Sequence, residues 1–148
     1  MPRHFHGTAR QERALSAYVK LLRASETVHS EATRTLAEEG LSASQFGVLE
    51  ALYHIGPLCL SDLAHKILKT TGNLTMVVRN LERSGLVTRQ QSAEDRRFVS
   101  VAITEKGRKR MARVFPVHLE HIVELMNRLS PAQQDELGRL CRKLGKDR

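Results

Sequence analysis

TTGNLTMVVRNLERSGLVT, residues 70–88, places Leu74, Val77, Val78 and Leu81 at i, i+3, i+4 and i+7. That spacing sets four apolar side chains along one helical stripe, which must face a core. With successive residues about 100° apart on a helix, Gly72, Asn73, Thr75, Met76, Arg79, Asn80 and Arg83 share the opposite face. Amide, hydroxyl and guanidinium groups of this kind reach DNA base edges and phosphates without charge repulsion. A merely solvated face usually mixes both signs of charge, whereas the one acid here, Glu82, falls off to the side.

The flanking residues extend the motif in both directions. Upstream, Leu60, Leu63, Ala64, Ile67 and Leu68 space a short helix, with Cys59 or Ser61 ahead of its first turn. Two short helices joined by a tight turn, the second polar outside, make a helix-turn-helix. Downstream, Gly85 stops the second helix and residues 86–90 are extended. After the polar tip SAEDRR at 92–97, Val99, Val101 and Ile103 alternate with Phe98, Ser100 and Ala102, which is strand periodicity. A helix-turn-helix followed by a two-stranded hairpin is a winged helix, its tip placed to reach an adjacent minor groove.

Charge singles out the same region. The chain has 148 residues and a net charge of +8, and residues 61–113 carry twelve basic against five acidic side chains while residues 1–60 are balanced. A localised basic excess between near-neutral ends is the footprint of a polyanion-binding module. An anionic membrane would also satisfy the charge, but surface adsorption needs bulky apolar groups on the exposed helix face, and only Met76 is there. Aromatic content of 4% is low for base-stacking single-strand or RNA binders, which leaves duplex DNA as the expected partner.

The length suits one compact fold unit. No apolar run approaches the roughly 20 residues of a membrane span, and the opening MPRHFHGTARQER has no apolar signal core, so a cytoplasmic protein is expected. Thr8 and Gln11 form a capping box that opens a long helix ending at Gly40, and Ser42 with Gln45 forms a second ahead of Phe46, Val48, Leu49 and Leu52. Thr104 caps a further helix containing Pro116, which predicts a kink near residues 112–116. Ser130-Pro131-Ala132-Gln133 starts a last helix bearing Leu137, Leu140, Cys141 and Leu144 on one stripe. The expected class is mainly α with a small β-hairpin wing. Residues 1–40 form an N-terminal helix, 41–104 the winged lobe and 105–148 the C-terminal helices, and the end helices' apolar stripes exceed what one small lobe can cover.

The combination of Leu63-Ala64, LERSGLVTR at 81–89, Asp95-Arg96-Arg97 and VAITEKGR at 101–108 resembles the MarR family of bacterial winged-helix transcription regulators. The likeness extends over nearly the whole chain. Its most specific part is the wing signature, read here as Asp95, Arg97, Ile103 and Thr104, with Ile where the family usually has Leu. Residues 56–87 are most similar to a branch that includes repressors responding to phenols, catechols or quinones. The resemblance implies a homodimeric repressor with interlocked terminal helices, binding a palindromic operator and released by a small phenolic or aromatic effector. Carried over position by position, it implies that Thr71, Asn73, Thr75, Met76 and Arg79 lie in the major groove, that Ser61 meets phosphate and that Arg97 enters the minor groove. Thr70 and Arg96 complete the DNA-binding set, and Asp95 holds the wing turn by pairing with an arginine. Gly72 and Asn73 stand where relatives are often rich in Ser or Thr, which leaves base preference open.

Effector-binding candidates are Tyr18, His29, Phe46 and His54, chosen because they supply rings or donors near the expected cleft between dimer helices and lobe. Two other control routes stay open. His118 and His121 lie i, i+3 on one helix, close enough to share zinc, but no cysteine or carboxylate cluster is spaced to complete four ligands, so two surface histidines are expected and no metal or cofactor. Cys59 stands where relatives tend to place a Thr cap, a setting that lowers thiol pKa, while Cys141 is expected in the core. No phosphate-binding glycine loop, HExxH or GxSxG is present, which argues against an enzyme. The remaining rival is an architectural DNA binder without an effector pocket.

Overall fold

The computed structural model describes residues 5–67 and 71–146. A 30-residue helix, α1 (Ala9–Glu38), starts at a complete Thr8–Gln11 capping box and stops before Gly40, whose φ of +73° suits glycine. α2 (Ala43–Ile55) opens on the Ser42–Gln45 box and closes at Gly56, also left-handed at φ +104°. There follow β1 (Leu58–Cys59), α3 (Leu60–Lys66), α4 (Thr71–Arg83), β2 (Val87–Gln91), β3 (Val99–Ile103), α5 (Glu105–Met126) and α6 (Pro131–Leu144). α5 continues through Pro116, and α6 begins at the Ser130–Gln133 box with proline in its first turn.

The sheet is antiparallel in the order β1-β3-β2. β2 and β3 pair from Val87↔Ile103 to Gln91↔Val99, forming the expected hairpin. β1 was not expected: Leu58 and Cys59 pair with Val101 and Ser100 across more than forty residues of chain. Two residues are too short for a period-2 pattern, so only the long-range pairing reveals the strand.

One core joins the lobe to the ends. Leu36 and Leu41, then Phe46, Val48, Leu49 and Leu52 of α2, Leu63 and Ala64 of α3, and Leu74, Val78 and Leu81 of α4 are buried with Leu86, Val87, Val101, Met111 and Val114. α5 is anchored to the hairpin base by close backbone approach at Gly107, while Thr104 Oγ1 donates to the Gly85 carbonyl at 2.6 Å and Lys106 Nζ to the Ser84 carbonyl at 2.9 Å. The last two contacts satisfy carbonyls left open at the end of α4. Further along, α5 grips α1: Arg110 donates to the Glu39 carbonyl, Arg113 pairs with the Glu39 carboxylate at 3.1 Å, and the His121 ring bonds the Glu31 carbonyl at 2.8 Å.

Three local expectations need correction. Cys59 is the N-cap residue of α3 but makes no side-chain cap bond; its thiol instead lies 3.2 Å from the Ser61 hydroxyl. Cys141 is exposed, on a helix α6 that has no buried residue. His118 is buried, not on the surface, because it continues the Met111–Val114 stripe of α5 at i+7 and i+4 into α2.

Candidate nucleic-acid interface

α3 and α4 meet through Leu63, Ala64, Leu74, Val78 and Leu81, all buried, which fixes how α4 is presented. Its outward residues Asn73, Met76, Arg79, Asn80 and Arg83 are exposed, Met76 to 60%, while Thr75 and Val77 are half-buried. An exposed thioether on a polar helix face offers an apolar contact of the sort that meets a thymine methyl. Thr71 opens α4, Ser61 is exposed on α3, and Thr70 lies outside the described residues.

Electrostatics on α4 is settled by one ion pair. Glu82, the helix's sole acid, takes hydrogen bonds from the Arg89 backbone N–H at 3.2 Å and from its guanidinium at 3.1 Å, across to β2. Those bonds, with the positive charges of Arg89 and Arg79, hold the Glu82 carboxyl below the usual carboxylate range. The acid is therefore turned onto the hairpin and neutralised there. The outer face of α4 keeps Arg79 and Arg83 exposed, with Glu82, the one acid of the helix, turned toward Arg89.

The wing tip is a hydrogen-bonded turn. The Asp95 carboxylate accepts from the Arg97 backbone N–H at 3.0 Å, from Arg97 Nε at 3.0 Å and from Arg97 Nη2 at 2.7 Å. Phe98 N–H donates to the Asp95 carbonyl, Ser92 N–H to the Phe98 carbonyl, and Gln91 Nε2 to the Arg96 carbonyl at 2.6 Å. The same contacts lower the Asp95 pKa and raise that of Arg97. Arg97 stays 87% exposed, and a guanidinium has five N–H donors, so its remaining donors point to solvent. Arg96 is exposed beside it.

Behind this face lies a cleft of about 500 Å³ between α1, α2 and the end of α3. His29, Glu50, His54 and Lys66 supply its polar groups, and Ala43, Ala51, Ile55 and Ile67 its apolar wall. Of the four ring residues considered from sequence, His29 and His54 meet here, with His54 edge-on to Phe115 at 4.7 Å. Phe46 is buried against His118 and Tyr18 stands exposed on α1; neither lines the cleft. Sequence reasoning missed Glu50 and Lys66. The signal was present for Glu50, the one acid of α2, which precedes His54 by four residues and so shares its face.

Among the described residues no three His, Cys, Asp or Glu side chains converge as a metal site, and no helix is long and apolar enough to cross a membrane.

Comparison with known proteins matches residues 41–99 to the MarR family model. The chain is 36% identical over 134 residues to the uncharacterized HTH-type transcriptional regulator YkoM of Bacillus subtilis, covering 90% of this chain and 87% of the relative. It is 33% identical to the HTH-type transcriptional regulator MhqR of the same organism, covering 90% and 92%. Among solved structures, Sco3205 of Streptomyces coelicolor in complex with DNA superposes with a TM-score of 0.82 at 26% identity, over 98% of this chain and 91% of that one. Bordetella bronchiseptica BpsR, whose DNA binding is regulated by 6-hydroxynicotinic acid, gives 0.80 at 27%, over 88% and 98%.

Proposed function

The chain belongs to the MarR family of DNA-binding transcription regulators and is not an enzyme, and on that basis we propose that it is a cytoplasmic repressor. In this reading it binds a palindromic operator as a homodimer and releases it when a small aromatic or phenolic effector fills the α1–α2–α3 cleft. The observation that carries the operator reading is the acid-free outer face of α4, left so by the Glu82–Arg89 pair, beside a wing that exposes Arg96 and Arg97. Thr71, Asn73, Thr75, Met76 and Arg79 then read the major groove, Thr70 and Arg96 complete the DNA-binding set, Ser61 meets phosphate, and Arg97 enters the minor groove with Asp95 holding the turn.

Two such lobes are joined by the terminal helices, where α1, α5 and α6 expose Leu15, Tyr18, Leu22, Leu119, Val123, Leu137, Leu140 and Leu144. A second copy covers these side chains. The effector reading is supported by the cleft's chemistry: two imidazoles and the Lys66 ammonium against one carboxylate, on an apolar wall, suit a flat ring bearing an ionised or hydroxyl group. A hydroxylated aromatic acid, the class that regulates BpsR, fits that description. To release DNA the ligand must favour a lobe spacing that no longer fits two successive grooves, and tenfold weakening needs about 1.4 kcal/mol of differential affinity.

Selection of binding sites from random duplexes tests the operator reading. It should return a palindrome with half-sites centred about 10 bp apart. Equal affinity for all duplexes at about 150 mM salt would replace it with an architectural role. Once an operator is in hand, a thermal-shift screen of phenols, aromatic acids and quinones, followed by operator release, tests the effector. Release by peroxide that vanishes in Cys59→Ser would put a thiol switch in its place.

A further inference from the structure

Among the described residues, His118 is the one buried polar side chain, 7% exposed at the meeting of α1, α2 and α5. Its ring centroid lies 4.5 Å from that of Phe46 on α2, and the backbone of Ala32 on α1 acts on it as a weak influence favouring the charged ring. Its Nδ1 is buried and has no hydrogen-bond partner. A neutral imidazole fits this place, because its Nδ1 can stay an unprotonated nitrogen against the apolar packing of Phe46. Protonation would add a second N–H with nothing to receive it and put a charge where water is excluded.

The surrounding charges do not reverse that balance. From α2 the Glu50 carboxylate attracts a charged ring, and from α5 His121 opposes it; His121 is itself tied to the Glu31 carbonyl of α1, whose carboxylate pairs with Arg128. The Phe46 face offers a modest cation–π contact. Burial is the largest influence and pushes His118 below the ordinary imidazole range.

We propose that His118 is a proton-operated positioning residue: neutral, it pins the terminal helices α1 and α5 to α2 of the winged lobe, and protonated, it releases that joint and weakens DNA binding. The direction in pH follows from linkage. The native ring binds fewer protons than the unfolded chain between its lowered pKa and about 6.5. The joint is therefore fully stable above about 6.5 and loses stability as pH falls from there to the lowered value. Glu50 also lines the cleft, so proton and effector act on the same wall of α2.

The DNA half of this inference rests on the operator reading above; the structural half does not. In the full-length protein, NMR titration of the His118 ring from about pH 8 to pH 5 should show it still neutral below the ordinary imidazole range. Its eventual protonation should coincide with amide shifts at Ala32, Phe46 and Glu50. At constant ionic strength, affinity for the selected operator should fall as the pH is lowered from about 7.5 through the range in which the His118 ring takes up its proton. His118→Gln, which cannot charge, should keep neutral-pH affinity and flatten the profile. Ordinary titration of His118 without coupled amide shifts, or a His118→Gln profile that follows wild type, overturns the proposal. If His118→Gln does not fold, the wild-type titration decides alone. If the wild type selects no duplex at neutral pH, the operator reading fails and the NMR result still judges His118.

Discussion

A methyl group added at Gly107 would place a carbon 2.3 Å from the Leu86 carbonyl oxygen and 2.7 Å from Ile103 Cγ1. The nearer neighbour is backbone, and that carbonyl also receives the Thr104 N–H at 3.0 Å, so it cannot swing aside without breaking the junction of α4, hairpin and α5. Gly107→Ala should therefore cost about 1 to 3 kcal/mol despite the better helix propensity of alanine. A lower urea midpoint with unchanged slope is the expected record, and unchanged stability would show that the junction can widen. His118 gives the converse lesson. Its position at i+4 from Val114 put it on the buried stripe of α5 from the start, but sequence offers a histidine no apolar label, and only the packing against Phe46 shows which face it joins.

The helices were legible because their ends are written locally. Thr8–Gln11, Ser42–Gln45 and Ser130–Gln133 are reciprocal capping boxes in the structure, and Gly40, Gly56 and Gly85 take the positive φ that stops a helix. β1 and the cleft were hidden for the opposite reason: both depend on residues distant in sequence, Leu58 on Val101 and His29 on Lys66. Glu82 was legible as lying off the outer face of α4, but its capture by Arg89 required the hairpin to fold back. That capture leads to a prediction for the two elements that would touch DNA. Arg79→Ala on α4 should cost about 1 to 3 kcal/mol on the preferred operator and relax base choice at one position in each half-site. Arg97→Ala on the wing should weaken binding to most sequences alike and flatten the salt dependence, since in the operator reading it removes a positive charge that enters the minor groove between phosphates. Binding isotherms over a salt series, with circular dichroism to verify folding, separate the two; identical behaviour of both variants would remove the division of labour between helix and wing.

The whole molecule leaves its ends unfinished. α6 has no buried residue, and Leu137, Leu140 and Leu144 lie exposed along it, Leu144 to 68%, while Tyr18 on α1 is exposed to 58%. A monomer in water rarely keeps so large an apolar surface, and the surface here spans three helices that also carry the α1–α5 ties at Glu31 and Glu39. Cys141 sits on the same stripe, which explains why a residue expected in a core is exposed in one chain by itself. If a second copy covers that stripe, charge placed on it should separate the protomers without disturbing the lobe, whose core lies between Leu36 and Val114. Leu140→Glu combined with Leu144→Glu, and separately deletion of residues 1–14 and 130–148, should give sedimentation coefficients of a monomer. The point variant should retain its helical content. Because each lobe would then meet its half-site alone, operator affinity should fall by about 10² to 10⁴, the loss of effective concentration that linkage supplies, while affinity for an isolated half-site should hardly change. A full-length protein that sediments as a monomer at concentrations where it fills the operator would remove the dimer and, with it, the palindrome.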